Sequence, residues 1–336
     1  MKTKLIPFTN DMIPEASELL AKRHQRDRQV FPFMPDRFEK QEVAQNAIGI
    51  LMNKKRTSGY AAMRYGKLVA FFLGTATNQP WGRCGWTYLP GSALAEGEPV
   101  ELLQDLYVHL GEDWVKRGVF IHHTYLSKTD ERLIEAWFNL DFGKERVEAI
   151  LDFSNVEIPK IKIPERIKIR RGGPGDNEHL GGMSHLIMRE LEKPPYFHPT
   201  PPEDYPELYE GWSELADDDT VDIWLALEKE HTVASIASWA TMHPEEETDT
   251  NIFAAENTFS FSVAATRPEY RKQGIMTALT WTCLKYNRDR GYKYCYTNWI
   301  SPNLSASRFW PRFGYKEVAY RLTKNINPMI AWTQIS

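Results

Sequence analysis

The sequence has few cysteines and no long hydrophobic run. Its 336 residues include three cysteines, Cys84, Cys283 and Cys295, an odd number without the spacing of a metal site. Such a set is typical of a reducing compartment, so we expect a cytoplasmic protein without a disulfide framework or a bound metal. No apolar stretch approaches the ~20 residues of a membrane-spanning helix, and the first ten residues lack the apolar core of a signal peptide. We therefore expect no membrane attachment.

The sequence also lacks concentrated charge of either sign. It holds 41 lysines and arginines against 45 acidic residues, for a net charge of −4, and has no basic run. Binding along a nucleic acid backbone needs a basic patch, so we expect no nucleic acid partner. The length of the chain predicts about two domains of ordinary size.

A weak internal duplication runs along the chain. Residues 5–28 and 167–191 each read as a short strand, an Asp-bearing turn and an amphipathic helix. Residues 60–75 and 222–239 each read as two strands around a polar turn. The duplication predicts two copies of one α/β unit rather than a repeat array.

The boundary between the copies is predicted in a proline-bearing connector. Pro159 and Pro164 flank Lys-Ile-Lys-Ile, a pattern typical of extended chain. We therefore predict a first domain at residues 1–152, a linker at 153–165 and a second domain at 166–336.

The most informative segment is residues 259–279. An apolar strand passes through Arg267-Pro268 into a basic turn, Arg271-Lys272-Gln273-Gly274, which opens onto a helix. The first amides of a helix have no intrahelical acceptor, and the helix dipole adds partial positive charge there. Gly274 would let the backbone approach an anion closely, and Arg271 and Lys272 add mobile charge. The segment predicts a site for a pyrophosphate.

The downstream order strengthens this prediction. A strand at 292–299 is followed by Asn303, a short helical run and Phe313-Gly314-Tyr315. The order resembles the GNAT N-acetyltransferase superfamily, which binds acetyl-CoA. The family motif V-x-P-x-x-R-x-x-G-x-G/A corresponds to residues 266–276, and its second motif corresponds to Asn303, Ala306, Trp310, Gly314 and Tyr315.

The resemblance implies a fold and a reaction. The implied fold is α/β (α+β), with two tandem GNAT-like domains, each a mixed, mostly antiparallel central sheet flanked by helices. The implied reaction is direct transfer of an acetyl group from acetyl-CoA to an amine, helped by positioning and by amides that polarise the thioester where the central strand bulges. The residues implied to bind acetyl-CoA are Ala264, Ala265, Thr266, Arg271, Lys272, Gln273, Gly274, Ile275, Met276, Thr277 and Asn303.

The catalytic residues are less well indicated. Asn303 could hold the pantetheine arm or a water, or it could cap the helix that follows. Glu256, before the central strand, is the candidate carboxylate base, with an exposed loop residue as the alternative. Two positions depart from the family pattern: Met276 replaces a small residue, and Trp310 replaces the tyrosine that often protonates the thiolate. Tyr296, Tyr315 or solvent could serve instead.

The first copy departs where binding would occur. Its loop at residues 90–99 has no arginine or lysine and carries Glu96 and Glu98, which would repel a diphosphate. Arg132 stands where the second copy has Asn303. We therefore predict a degenerate first domain and catalysis confined to the second.

Two other functions remain open from the sequence. A CoA-binding scaffold without activity is compatible with Trp310, and an aminoacyl transferase of the doubled GNAT type would not need the phosphate turn. A small-molecule or peptide amine is the expected acceptor, and the protein is expected to be a monomer or a homodimer.

Overall fold

The computed structural model describes residues 3–79, 82–240 and 252–333. The chain divides into two compact units, each drawn from separate parts of the sequence. The first holds Met1–Glu148, His243–Ala255 and Glu317–Ser336, and the second holds Ala149–Met242 and Glu256–Lys316. Within the described ranges, no helix is long and apolar enough to cross a bilayer.

The first unit contains a sheet and its flanking helices. Its sheet follows the order β1-β2-β3-β4-β6-β13, with the short β5 paired to β3. The strands are β1 Lys4–Pro7, β2 Thr57–Arg64, β3 Lys67–Gln79, β4 Gly82–Thr87, β5 Ser92–Leu94, β6 Ile121–Ser127 and β13 Lys316–Asn325. The helices are α1 Ile13–Val30, α2 Gln41–Asn53, α3 Glu101–Lys116, α4 Glu131–Phe138 and α10 Ile330–Thr333.

The second unit repeats this plan. Strand β7, Gly143–Asp152, leads into it from the first unit, and its sheet follows the order β8-β9-β10-β11-β12. The strands are β8 Ile167–Arg171, β9 Val221–Glu228, β10 His231–Ala240, β11 Thr258–Thr266 and β12 Tyr294–Ile300. The helices are α5 Asn177–Gly181, α6 His185–Leu191, α7 Tyr205–Glu214, α8 Ile275–Asp289 and α9 Leu304–Phe309.

Strand pairing is the same in both units. In the first, β1 to β4 pair antiparallel in succession and β4 pairs parallel with β6. In the second, β8 to β11 pair antiparallel in succession and β11 pairs parallel with β12. The predicted α/β fold, with two mixed and mostly antiparallel sheets, is confirmed.

The last strand of the chain lies in the first unit, where β13 pairs antiparallel with β6. A half-buried ion pair links it to β7, because Arg321 Nη2 and Nε donate to the Glu145 carboxylate at 2.6 and 2.8 Å. Thr323 donates to the same carboxylate at 2.6 Å. The domain boundaries at 152 and 166 stay a prediction about the duplicated sequence. The compact units have other bounds, because Glu317–Ser336, which includes most of β13, belongs to the first unit.

The connector at 153–165 runs beside α8 in the second unit. Arg288, near the end of α8, donates to the Val156 carbonyl at 2.7 Å, and the Lys162 carbonyl lies beside Gly274 at its start. The fourteen residues of helix after Gly274, up to Arg288, and the six residues of extended chain after Val156, up to Lys162, each span about 20 Å, so the two segments have matching lengths. The connector therefore reaches the predicted phosphate turn.

Candidate active site in the second unit

An opening between two parallel strands forms the centre of the site. Among the described residues, Thr258–Ser260 of β11 pair with Tyr294–Tyr296 of β12, although both strands continue further. The register of β11 against β10 also shifts at the level of Ala237 and Ser238, which marks a bulge. A bulge and a parting strand leave backbone groups without ladder partners. The expected bulge and splay are therefore present.

Ala264 and Thr266 are half-buried in the part of β11 beyond the bulge, while Ala265 is buried under helix α6. The side-chain alternation of a strand explains this difference, because successive residues face opposite sides of the sheet. The three residues that the resemblance assigned to the pantetheine arm thus lie at the opening.

The turn after β11 has the backbone conformation of an anion site. Gly274 adopts a left-handed conformation, φ +79°, at the N-terminal cap of α8, and Lys272 has φ +61°. A side chain at Gly274 would place its Cβ 3.3 Å from the Lys162 carbonyl oxygen. The amides of Ile275, Met276 and Thr277 occupy the first helical turn, where intrahelical acceptors are missing. The turn therefore presents N–H groups at the positive end of a helix.

Two predicted residues of the turn already have side-chain partners. Arg166 donates to Gln273 Oε1 at 2.8 Å, and Gln273 Nε2 donates to the Glu269 carbonyl at 3.1 Å. Arg271 Nη1 donates to Glu190 Oε2 at 2.8 Å, so its guanidinium is held by helix α6. These bonds fix the shape of the turn before any ligand binds.

Glu190 connects three parts of the site. Besides Arg271, it accepts from Lys193 at 2.9 Å and from Ser305 Oγ at 2.9 Å. Burial opposes its ionisation, but the bonds from Lys193, Arg271 and Ser305 outweigh burial and lower its pKa to about 2. Sequence reasoning missed Glu190, because only its i,i+3 spacing to Lys193 is visible and neither other partner is close in the chain.

Asn303 caps a helix, whereas Glu256 lies in an exposed turn. Asn303 Oδ1 accepts from the Ala306 amide at 3.1 Å and caps α9, and its Nδ2 donates to no protein group in the described part of the chain. Glu256 lies in an exposed turn before β11, eight residues from Ala264. At about 3.3 Å per strand residue, that distance is roughly 25 Å. The structure does not bring Glu256 to the opening.

The position of the missing tyrosine is filled by core packing. Trp310 is buried, and its ring stacks on Phe261 with centroids 5.7 Å apart. Tyr315 donates its hydroxyl to Cys295 Sγ at 3.0 Å, and burial raises its pKa well above the ordinary value. Tyr296 is half-buried and accepts from Asn298 Nδ2 at 2.9 Å. Of the two tyrosines, only Tyr296 is partly open to solvent.

His185 is a titratable group that no sequence motif indicated. It begins α6, and the next residue, Leu186, packs against Ala265 of β11. Burial lowers the pKa of His185 below 6.5, and Arg267 and Arg189 add repulsion of the charged form. A neutral imidazole on the helix that covers Ala265 of β11 is able to accept a proton.

The corresponding turn of the first unit differs. Two amides at the start of α3, of Leu102 and Leu103, donate to the carbonyls of Pro99 and Val100. Glu98 Oε1 pairs with Arg64 at 2.6 Å, and Glu101 brings another carboxylate to the first turn. Glu101 therefore places a carboxylate in the first turn of this helix, whereas the first turn of α8 has no acidic residue.

Comparisons with known proteins agree with this geometry. A sequence model of the acetyltransferase (GNAT) family matches residues 186–315. A GCN5-related N-acetyltransferase from Sphaerobacter thermophilus is similar in structure, with a TM-score of 0.59, 16% identity, and 97% of this chain and 96% of that chain covered. A tandem GNAT protein from the clavulanic acid biosynthesis pathway has a TM-score of 0.52, 11% identity, and coverage of 97% and 99%.

A glucosamine N-acetyltransferase region of a fungal β-N-acetylglucosaminidase has a TM-score of 0.59 and 17% identity, covering 96% of this chain and 38% of that chain. No protein of curated function matches the chain by sequence. These identities support the fold alone. The matched residues run from α6 to Tyr315 and include the bulged strand, the glycine turn, the parted strand and Asn303. Residues 186–315 therefore form a domain of the acetyltransferase (GNAT) family, in a chain with the fold of tandem GNAT proteins.

Proposed function

We propose that the protein is an acetyl-CoA-dependent N-acetyltransferase whose reaction takes place in the second unit. The observation that carries this proposal is the left-handed Gly274 at the start of α8, directly after a strand that bulges and parts from its neighbour. The turn provides a site for an anion, and the parted strands provide an opening beside the same strand, β11. A pyrophosphate joined to a thioester arm has the matching chemistry.

Binding of acetyl-CoA would use the turn and the opening together. The amides of residues 273–277 would hold the pyrophosphate, with Lys272 and Arg271 adding charge. Backbone groups of Ala264, Ala265 and Thr266 would hold the pantetheine arm and polarise the thioester carbonyl. The free Nδ2 of Asn303 would donate to the arm or to a bound water, while its oxygen keeps the helix cap.

The proton steps follow from the titratable groups near the opening. We assign the role of base to His185, because it lies on α6, whose next residue, Leu186, packs against Ala265 of β11, and because burial favours its neutral form. The amine nitrogen attacks the thioester carbon, the C–S bond breaks, and an amide and the CoA thiolate result. His185, directly or through a water, takes the amine proton, and solvent or Tyr296 protonates the thiolate.

The first unit would pack and shape the protein without binding acetyl-CoA. Glu101 in the first turn of α3 supports this assignment, because its charge would repel a pyrophosphate, whereas Glu98 is paired with Arg64. The acceptor would be a small-molecule or peptide amine. The three buried cysteine thiols support a cytoplasmic location.

One observation favours a second candidate, a CoA-binding protein without transfer activity. Trp310 is packed against Phe261 in the place of the family's tyrosine, and Tyr315 is locked in the core. A protein of this kind would bind CoA through the same turn and release no thiol in the presence of amines.

The experiment that separates the two is a thiol-release assay with acetyl-CoA and a panel of small amines, polyamines, amino sugars and peptides. Acetylation of at least one class, lost in the His185→Gln variant, is the expected result. Tight CoA binding with no acetylated amine in any class would favour the second candidate. Both candidate functions predict that the Arg271→Gln variant remains folded and loses CoA binding.

A further inference from the structure

A cleft in the first unit is lined by three arginines. It has a volume of about 400 Å³ and lies where β2 begins, β3 ends, β4 begins and α3 ends. Its charged side chains sit beside two buried apolar residues, and its lining includes Arg56, Arg83, Arg117, Asn78, Ala76 and Val119. Its volume is in the range of small-molecule sites.

The three guanidinium groups bond to neutral acceptors. Arg56 donates to Asn78 Oδ1 at 3.3 Å, and Arg83 donates to the carbonyl of Arg117 at 2.9 Å. Arg117 donates to Ser58 Oγ at 3.3 Å. Each guanidinium has five N–H donors, so most of them stay available.

Nearby carboxylates are bound by other groups. Glu112 pairs with Lys116 at 2.6 Å, and Asp113 accepts from the Tyr60 hydroxyl at 2.8 Å. Among residues 3–79, 82–240 and 252–333, no carboxylate forms an ion pair with an arginine of the cleft. In the part of the chain that the structure describes, three arginines therefore line one cleft with no carboxylate paired to them.

At the corresponding position of the second unit, a carboxylate neutralises the arginines. Ser58 is the second residue of β2, and Asp222 is the second residue of β9. Arg117 and Arg290 each follow the helix end and precede a left-handed glycine. Asp222 pairs with both Arg290 and Arg171, so one carboxylate satisfies two arginines there. The first unit has a serine instead.

We propose that the cleft binds a small phosphorylated molecule, with the phosphate where the second unit holds the Asp222 carboxylate. A phosphate monoester carries close to two charges at pH 7, which suits three arginines better than one carboxylate does. Ala76 and Val119 would contact the organic part. The cleft lies at the C-terminal end of α3, so it is unrelated to the turn at the start of α8 that we assign to acetyl-CoA.

Inorganic phosphate is the probe, titrated calorimetrically at constant ionic strength into the full chain. All proteins carry Arg271→Gln, so that the turn of the second unit contributes little. Ser58→Asp supplies the carboxylate that the second unit has at this position, and Ser58→Asn is the neutral control of the same size. Arg117→Gln removes one guanidinium, with its positive charge, and adds no negative charge.

Phosphate affinity should fall about tenfold or more in Ser58→Asp and in Arg117→Gln, and should change about twofold or less in Ser58→Asn. Equal affinity in Ser58→Asp and Ser58→Asn would overturn the proposal, as would a lack of phosphate binding by the Arg271→Gln protein. Tighter binding of acetate than of phosphate would refute the assigned ligand class. Thermal unfolding of each variant checks that it is folded.

Discussion

Two left-handed glycines at opposite ends of α8 allow strain and ligand contact to be separated. Gly274 begins the helix with φ +79°, and Gly291 follows its end with φ +95°. An alanine at either position adopts a conformation that costs about 1–2 kcal/mol. That cost should lower the melting temperature of either variant by about 2–4 °C per kcal/mol for a unit of this size. Stability is therefore expected to fall in both.

Only Gly274→Ala should also weaken CoA binding. Its Cβ would lie 3.3 Å from the Lys162 carbonyl, whereas a Cβ at Gly291 meets nothing within 4 Å. If the shifted turn loses one charge-assisted bond to the pyrophosphate, about 1.5–3 kcal/mol of binding is lost. This corresponds to about 10- to 100-fold in Kd.

The assay is calorimetric titration with CoA, alongside thermal unfolding of both variants. Gly291→Ala is the matched control and should bind CoA within about twofold of the unmodified protein. The reasoning fails if Gly274→Ala binds CoA normally, or if Gly291→Ala loses as much affinity as Gly274→Ala does.

Three further variants test the site. Glu190→Gln should destabilise the protein above pH 4.5. The difference in melting temperature between variant and unmodified protein should shrink as the pH falls from 4.5 towards 2, because a lowered pKa stabilises the fold only where Glu190 of the unfolded chain would be ionised. A difference that is constant with pH would contradict this. His185→Gln should lower kcat and remove an acidic limb that lies below pH 6.5, and an unchanged pH profile would exclude His185 as the base. Asn303→Asp should keep the helix cap and raise KM for acetyl-CoA. Asn303→Ala should raise KM as well and also lose about 1 kcal/mol of stability, because the cap is lost. Equal KM values in Asn303→Asp and the unmodified protein would show that Nδ2 contacts no ligand.

The sequence predicted the features that depend on local chemistry. The glycine turn and the helix after it follow from backbone preferences of a few adjacent residues, and the duplicated hydrophobic pattern predicted two similar sheets. The cap at Asn303 was one of two roles that the sequence left open. The position of Glu256 relative to the opening depends on how far β11 extends, so its candidate role could not be judged from the sequence.

Contacts between distant residues were not predictable. Glu190 joins Arg271 and Ser305 across 81 and 115 positions, and the sequence carries no sign of either bond. The Arg321–Glu145 ion pair likewise joins β13 to β7 across 176 positions. A single sequence fixes the type of an element more readily than its partner, because strand pairing is decided by packing over the whole sheet.

The central claim is that the start of α8 in the second unit holds the pyrophosphate of CoA. A crystal structure of the protein with CoA tests it most directly. We expect the pyrophosphate within hydrogen-bond distance of the backbone amides of residues 273–277, with the pantetheine arm between β11 and β12. A pyrophosphate bound at the start of α3 in the first unit, with the Gly274 turn empty, would contradict the account.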